Sequence, residues 1–197
     1  MKIGVLAMQG AFLEHLKMLE SLGVEGIEVR KSSQLDNIDG LIIPGGESTT
    51  IGRLLVKYGL LKPLKKKIAD GFPVFGTCAG MIMLSNNVTD GVKGQPLLGG
   101  LDVVCGRNAY GRQKDSFEAW IDVPDLGKDP FPGVFIRAPL IKSTGRDVKI
   151  IATLGKDVVA VRQGNILAIS FHPELTNDDR FHRYFIEMIR SVKKTND

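Results

Sequence analysis

The strongest constraint on this chain is a pattern repeated through its first half. Short, almost wholly apolar runs are each stopped by glycine or proline and followed by a stretch with helical spacing. Ile3 to Met8 is the first run, and Ala11 to Leu22 then sets Phe12, Leu16 and Leu19 at helical intervals. Ile27 and Val29 mark a second strand and Leu41-Ile42-Ile43 a third, ending in Pro44-Gly45-Gly46. Ser48 or Thr49 offers a cap for a helix through Tyr58, and a further helix fits Leu64 to Ala69. Pro73-Val74-Phe75 is the next strand; it breaks at Gly76 and gives way to a helix over Ala79 to Leu84. A strand that is apolar on both faces has to be buried on both. The alternation therefore predicts a mostly parallel sheet with helices on each side, an α/β fold.

The second half reads as strands joined by short turns. Leu101 to Val104, Phe117 to Val123, Val134 to Arg137, Val148 to Ala152, Val158 to Gln163 and Ile166 to Ser170 are strand-like. Gly164-Asn165 separates the last two as a hairpin turn, so the parallel sheet acquires an antiparallel portion. A final helix runs from about Asp179 to Val192, with Phe181, Phe185, Met188 and Ile189 on one side. Gly91 to Gly100 is a glycine-rich connection between the halves, and Asp122 to Phe131 reads as a surface insertion. With no repeat and no long linker, residues 1–197 are expected to form a single domain.

Composition removes several classes of function. The chain has 43% hydrophobic and 24% charged residues, the mixture of a folded globular protein. No window approaches the roughly 18 consecutive apolar residues of a membrane helix. Met1 to Met8 is too short for a signal-peptide core. The net charge of +4 suggests nucleic acid, but its one dense basic stretch, Lys62 to Lys67, has no interleaved aromatics. The Lys193-Lys194 pair suits the C-terminal end of a helix dipole. Two cysteines, Cys78 and Cys105, without a secretory context point to a reducing, cytoplasmic setting. Two cysteines and three scattered histidines have no zinc-ligand spacing.

The chemistry concentrates in three segments. In Gly76-Thr77-Cys78-Ala79-Gly80 a cysteine occupies a strand-to-helix turn between small residues, as a sharp and strained turn requires. The free N–H groups of the new helix favour a thiolate; the plainer reading is a buried structural cysteine. Phe171-His172-Pro173-Glu174 follows an apolar strand, which puts His172 at the sheet edge where α/β folds place their sites. Glu174 is placed to accept the second imidazole N–H and fix its tautomer, whereas taken alone the segment reads as a surface histidine in a loop. Together, Cys78, His172 and Glu174 make a candidate nucleophile–base–carboxylate set. His15 and His182, in the first and last helices, have no nucleophile beside them in sequence. The third segment, Pro44 to Thr49, carries paired glycines that let backbone N–H groups face a ligand, as an oxyanion site needs, or that simply turn into a helix cap. Ser48 is followed by Thr49-Thr50, not by the glycine of a serine-hydrolase elbow.

These residues resemble the class I glutamine amidotransferases, and more narrowly the glutaminase subunits of pyridoxal 5′-phosphate synthases. The matching stretches are Gly4 to Phe12, Leu41 to Thr50, Phe75 to Met81, Arg107 to Gln113, Asp115 to Glu118, Phe135 to Pro139 and Phe171 to Leu175. The triad alone gives the superfamily; Gln9, Arg107 to Glu118 and Phe135 to Pro139 narrow it. The resemblance implies a flavodoxin-like three-layer sandwich with Cys78, His172 and Glu174 as triad. It also implies an oxyanion hole from Gly46 and Ala79, and a substrate pocket of Gly46, Glu47, Ser48, Arg107, Ile136 and Arg137. Within that pocket Glu47 suits the ammonium of L-glutamine and an arginine its carboxylate. The Gln9-Gly10 loop is expected near the oxyanion site, with activity low until a synthase subunit docks. The resemblance implies no cofactor and no metal for this chain, and neither nucleic acid nor membrane as partner.

Three rivals stay open at this level. The triad would be identical in a subunit serving histidine, tryptophan or nucleotide synthesis. A free-standing cysteine hydrolase would place a histidine directly after the cysteine, where Ala79 stands, and would leave Glu174 unexplained. A non-catalytic glutamine-binding adapter would have no need of Cys78, His172 and Glu174 together.

Overall fold

A computed structural model describes residues 1–107 and 116–196; most of the stretch from Arg107 to Glu118 that narrows the resemblance lies outside them. The first half alternates as its pattern predicts: β1 (Lys2–Leu6), α1 (Phe12–Ser21), β2 (Glu25–Val29), β3 (Gly40–Ile43), α2 (Ser48–Lys57), α3 (Leu61–Ala69), β4 (Val74–Thr77) and α4 (Ala79–Leu84). The second half supplies β5 (Ser85–Val88), β6 (Leu101–Gly106), β7 (Ser116–Ile121), β8 (Phe131–Ile136), β9 (Leu140–Thr144), β10 (Lys149–Leu154), β11 (Asp157–Gln163), β12 (Ile166–Ile169) and α5 (Arg180–Asn196).

A seven-stranded sheet runs in the order β10-β11-β12-β4-β3-β1-β2. The pairs from β12 to β2 are parallel. The two at the other edge are antiparallel, β11 and β12 being joined through Gly164, whose φ is 55°. Successive side chains on the parallel strands enter opposite cores, as the pleat requires. Ile3, Ile42, Phe75, Leu167 and Ile169 join one cluster with Leu19 of α1 and Phe181, Phe185 and Ile189 of α5. Leu6, Leu41, Ile43, Val74, Ile166 and Ala168 join the other with Ile51 and Leu55 of α2, Leu64 and Ile68 of α3, and Met81 and Met83 of α4. The result is three layers, with α1 and α5 on one face and α2, α3 and α4 on the other.

Two small sheets complete the fold: β5-β6-β9, and the antiparallel pair β7-β8. The segment Asp122 to Phe131 is not a surface insertion throughout. Val123 and Phe131 are buried, Phe131 packing edge-on against Phe181 at 4.8 Å. No described helix is long and apolar enough to cross a membrane.

In the parallel part the chain leaves β1 for β2 on one side and returns to β3 on the other. The loops after β1 and β3 therefore diverge at their carboxyl ends, opening the crevice where such sheets bind ligands.

Candidate active site

One pocket of about 460 Å³ opens at this edge. It is lined by residues following β1 (Gln9, Gly10), β3 (Gly45 to Ser48), β4 (Cys78, Ala79) and β12 (His172), with Arg107, Ile136 and Arg137 closing it. Every candidate residue from the sequence except Glu174 lines this space, and Glu174 stands directly behind His172.

Cys78 lies between the end of β4 and the first residue of α4, with φ 49° and ψ −108°. That is left-handed backbone which a non-glycine residue adopts only under constraint. The constraint is visible on both sides. The Cys78 N–H donates to the Ile169 carbonyl at 2.9 Å, and the Cys78 carbonyl accepts from Met81 N–H at 3.0 Å. A Cβ on Gly76 would stand 2.6 Å from the Gly80 backbone, and one on Gly80 would stand 2.0 Å from the Ile43 carbonyl oxygen. The two glycines flanking the cysteine thus let helix, strand and neighbouring strand approach closely enough to make the turn. The Cys78 thiol points toward the Ile136 carbonyl, 3.7 Å away.

His172 leaves β12, and its N–H donates to the Val134 carbonyl at 2.8 Å, which ties the loop to β8. Nδ1 is 2.7 Å from Glu174 Oε1, both groups being buried. Burial disfavours a charged imidazole here, but hydrogen bonds with Cys78 and Glu174 outweigh it and raise the His172 pKa to about 10. Because Nδ1 is committed to Glu174, Nε2 is the ring nitrogen left to serve Cys78. Cys78, His172 and Glu174 thus come together at this pocket.

The glycine loop lies against them. A Cβ on Gly10 would come within 1.7 Å of the Gly45 carbonyl oxygen, so the loops after β1 and β3 are in backbone contact. Gln9 Oε1 accepts from the Glu47 N–H at 2.9 Å, and a Cβ on Gly46 would meet the same oxygen. Gln9 and Gly10 therefore lie beside Gly46.

Two details depart from expectation. The cap of α2 is neither Ser48 nor Thr49 but Glu47, whose carboxylate accepts from the N–H groups of Thr49 and Thr50. Arg107 also donates to Glu47 Oε1 at 2.9 Å and to Thr49 Oγ1 at 3.3 Å. Partial burial pushes the Glu47 carboxyl up, yet the hydrogen bonds from Thr50 and Thr49 dominate and bring it down to about 2. Glu47 is thus an already coordinated carboxylate rather than an open acceptor for a substrate ammonium. Ser48 likewise accepts a hydrogen bond from Gln95 Nε2 at 3.0 Å. Arg137 lines the pocket from a left-handed turn, with φ 45°, directly after β8.

Sequence reasoning passed over three side chains that meet here. His15 and His182 pack against each other behind Glu174, with Nδ1 of the first 2.9 Å from Nε2 of the second. Thr77 Oγ1 is 3.3 Å from His15 Nε2. The sequence signal was a histidine on the apolar stripe of each helix, at helical spacing from Leu19 in one and Phe185 in the other.

Residues 5–191 match the SNO glutamine amidotransferase family. The chain is 54% identical to pyridoxal 5′-phosphate synthase subunit PdxT of Dehalococcoides mccartyi, over 98% of its own length and 100% of the relative's. It is 55% identical to the protein of the same name from Pelotomaculum thermopropionicum, over 95% and 94% of the two chains. A crystal structure described as a glutamine amidotransferase superposes with a TM-score of 0.90 at 49% identity, covering 95% of this chain and 98% of that one. A Thermoplasma acidophilum protein described as a putative GMP synthase subunit superposes at 0.70 but is 22% identical, covering 100% of this chain and 97% of that one, and shares the fold alone.

Proposed function

The chain belongs to the SNO glutamine amidotransferase family, and from that premise we propose that residues 1–197 form one glutaminase domain. It hydrolyses L-glutamine and hands the ammonia to a synthase subunit that builds pyridoxal 5′-phosphate. The observation that carries the reading is a strained cysteine elbow sharing one pocket with a histidine whose Nδ1 meets a buried carboxylate.

In this reading the Cys78 proton already rests on His172, whose pKa is raised to about 10, and the thiolate attacks the side-chain amide carbon of glutamine. The tetrahedral oxyanion faces the N–H groups of Gly46 and Ala79; losing one such donor typically costs about 3 kcal/mol of transition-state stabilisation. The His172 imidazolium, held by Glu174, passes its proton to the departing nitrogen. Ammonia leaves and a glutamyl thioester remains on Cys78. His172, now neutral, takes a proton from water; the hydroxide attacks the thioester, and glutamate departs, leaving the Cys78 thiolate beside the His172 imidazolium. Arg107 and Arg137 face the substrate carboxylate, while Glu47, Ser48 and Ile136 line the rest of the pocket. Gln9 anchors the glycine loop, so a partner docking near Gln9-Gly10 acts on the oxyanion donors.

The relatives named as pyridoxal 5′-phosphate synthase subunits support this partnership over one in histidine, tryptophan or nucleotide synthesis. Both described cysteines are free thiols, which suits a cytoplasmic site of action. The test is ammonia release from L-glutamine by the purified chain, alone and with a pyridoxal 5′-phosphate synthase subunit, with Cys78→Ser as control. Stimulation by the partner that is lost in the control is the expected result. Cys78-dependent release without stimulation would overturn the partnership, and no release under either condition would overturn the glutaminase.

A further inference from the structure

Behind the triad, two histidines that the reaction does not use continue it into the core. Glu174 Oε1 serves His172, whereas Oε2 is buried without a conventional hydrogen bond. His15 Nε2 stands 3.4 Å from that oxygen and 3.3 Å from Thr77 Oγ1. On its other side, His15 Nδ1 is 2.9 Å from His182 Nε2, and His182 Nδ1 is buried with no partner. His15 and His182 are both fully shielded from solvent, their rings bordered by the edge of Phe75.

One arrangement of protons leaves no buried N–H of this line without an acceptor. A bare His15 Nε2 would turn a lone pair toward a carboxylate oxygen in a medium of low dielectric, a repulsive contact. Nε2 therefore carries the proton, and Nδ1, being bare in a neutral ring, must receive one from His182 Nε2–H. The unpartnered His182 Nδ1 is then a bare acceptor, and no buried N–H is left without an acceptor. The titratable groups facing His15 are His182 from α5 and Glu174 and His172 after β12, with Asp179 acting on His182. From β4 it meets the Thr77 hydroxyl and the Phe75 ring. Burial, reinforced by the neighbouring histidines, holds His15 well below its ordinary 6.5; burial brings His182 to about 4. Both rings are therefore neutral where a glutaminase works.

We propose that His15 is a positioning residue of the reaction: its Nε2–H, oriented from behind by His182, fixes the Glu174 carboxylate against His172. The kinetic side of this inference rests on the glutaminase reading above; the placement of the protons does not. With Oε1 bonded to His172 and the Nε2–H dipole 3.4 Å from Oε2, the carboxylate resists swinging away from Nδ1 when the imidazole gains or loses its proton.

The chain contains three histidines, so ¹⁵N-labelled histidine resolves every ring by magnetic resonance. His15 and His182 are expected as neutral Nε2–H tautomers throughout the range in which His172 can be followed. A proton on His15 Nδ1 would overturn the proposal. With L-glutamine and the synthase subunit present, His15→Leu is expected to lower kcat about ten-fold while KM stays within about two-fold. The same variant should lower the pKa of His172. His15→Gln, whose amide nitrogen reaches about as far as the lost Nε2, should restore most of both. Equal losses in the two variants with an unchanged His172 titration would reduce His15 to a packing role and overturn the proposal. Should the unaltered chain release no ammonia, the glutaminase reading fails by itself, and the ring nitrogens and His172 titration still decide the hydrogen bond.

Discussion

Gly45 faces His172 so closely that a Cβ added to it would stand 2.3 Å from the imidazole Cε1 and 3.3 Å from the Cys78 Cβ. The backbone of Gly45 is not left-handed, so alanine there strains nothing but the neighbours. Gly45→Ala should therefore fold, yet push the imidazole off its line between Cys78 and Glu174. A misplacement of about 1 Å is enough for about a hundred-fold loss of kcat. Glutaminase assays with the synthase present, set beside thermal melts, would show activity falling far more than stability. Retained activity would mean that the loop yields rather than the base.

The elbow makes a separate prediction about stability. Cys78 holds a left-handed conformation, and such strain at a non-glycine residue costs on the order of 1–3 kcal/mol. Cys78→Ala and Cys78→Gly should both abolish ammonia release. The glycine variant should nevertheless melt higher than the alanine variant, by about 2–4 °C for each 1 kcal/mol of net relief in a chain of this size. Equal melting temperatures would show that the turn is not strained.

Glu47 links the glycine loop to Arg107, and its carboxyl is depressed from 4.5 to about 2. A depressed carboxyl contributes stability above its unfolded value, and that contribution is lost as pH falls through the folded one. Glu47→Gln should therefore flatten the slope of melting temperature against pH between about 4.5 and 2. With the Glu47 side chain 44% exposed, the effect should be no more than about 1 kcal/mol. The same variant frees Arg107 and should raise KM for glutamine several-fold, with kcat less affected.

The histidines shape both limbs of the stability profile. The folded pKa of His182 lies below its unfolded 6.5, so its contribution is present above 6.5 and lost as pH falls toward about 4. His172 has the opposite sign: raised to about 10, it contributes fully below 6.5 and loses that contribution as pH rises through 10. His182→Phe should hold its melting temperature better in acid than the unaltered chain does. His172→Asn should flatten the alkaline limb. Melts from pH 4 to 10 would separate the two, and an unchanged acid limb in His182→Phe would mean that this ring is not kept neutral by the fold.

Much of this was legible in the residues, for identifiable reasons. Strands such as Leu41-Ile42-Ile43 are apolar on both faces because both faces are buried, and burial leaves no room for an ambiguous pattern. The cysteine turn was legible because close backbone contact admits only glycine at Gly76 and Gly80. β5, reading Ser-Asn-Asn-Val, was missed because only part of it is buried and its pairing with β6 is irregular. β9 was missed for a similar reason, three of its residues being exposed. The cap of α2 was misassigned because Glu47 reaches its two N–H groups with a side chain longer than the usual serine or threonine. His15 and His182 lie 167 residues apart, and nothing local to either reveals that the fold stacks them behind Glu174.

The position of β12 in the sheet has a consequence for the chain as it is made. It is the last of the seven strands to be synthesised, yet it lies inside the sheet, between β11 and β4. Cys78 follows β4 and His172 follows β12, so until that strand is inserted the thiol lacks the imidazole that the proposed reaction pairs with it. On the proposed mechanism a nascent chain is thus chemically silent through most of its synthesis, and the step that closes the sheet also switches on the chemistry.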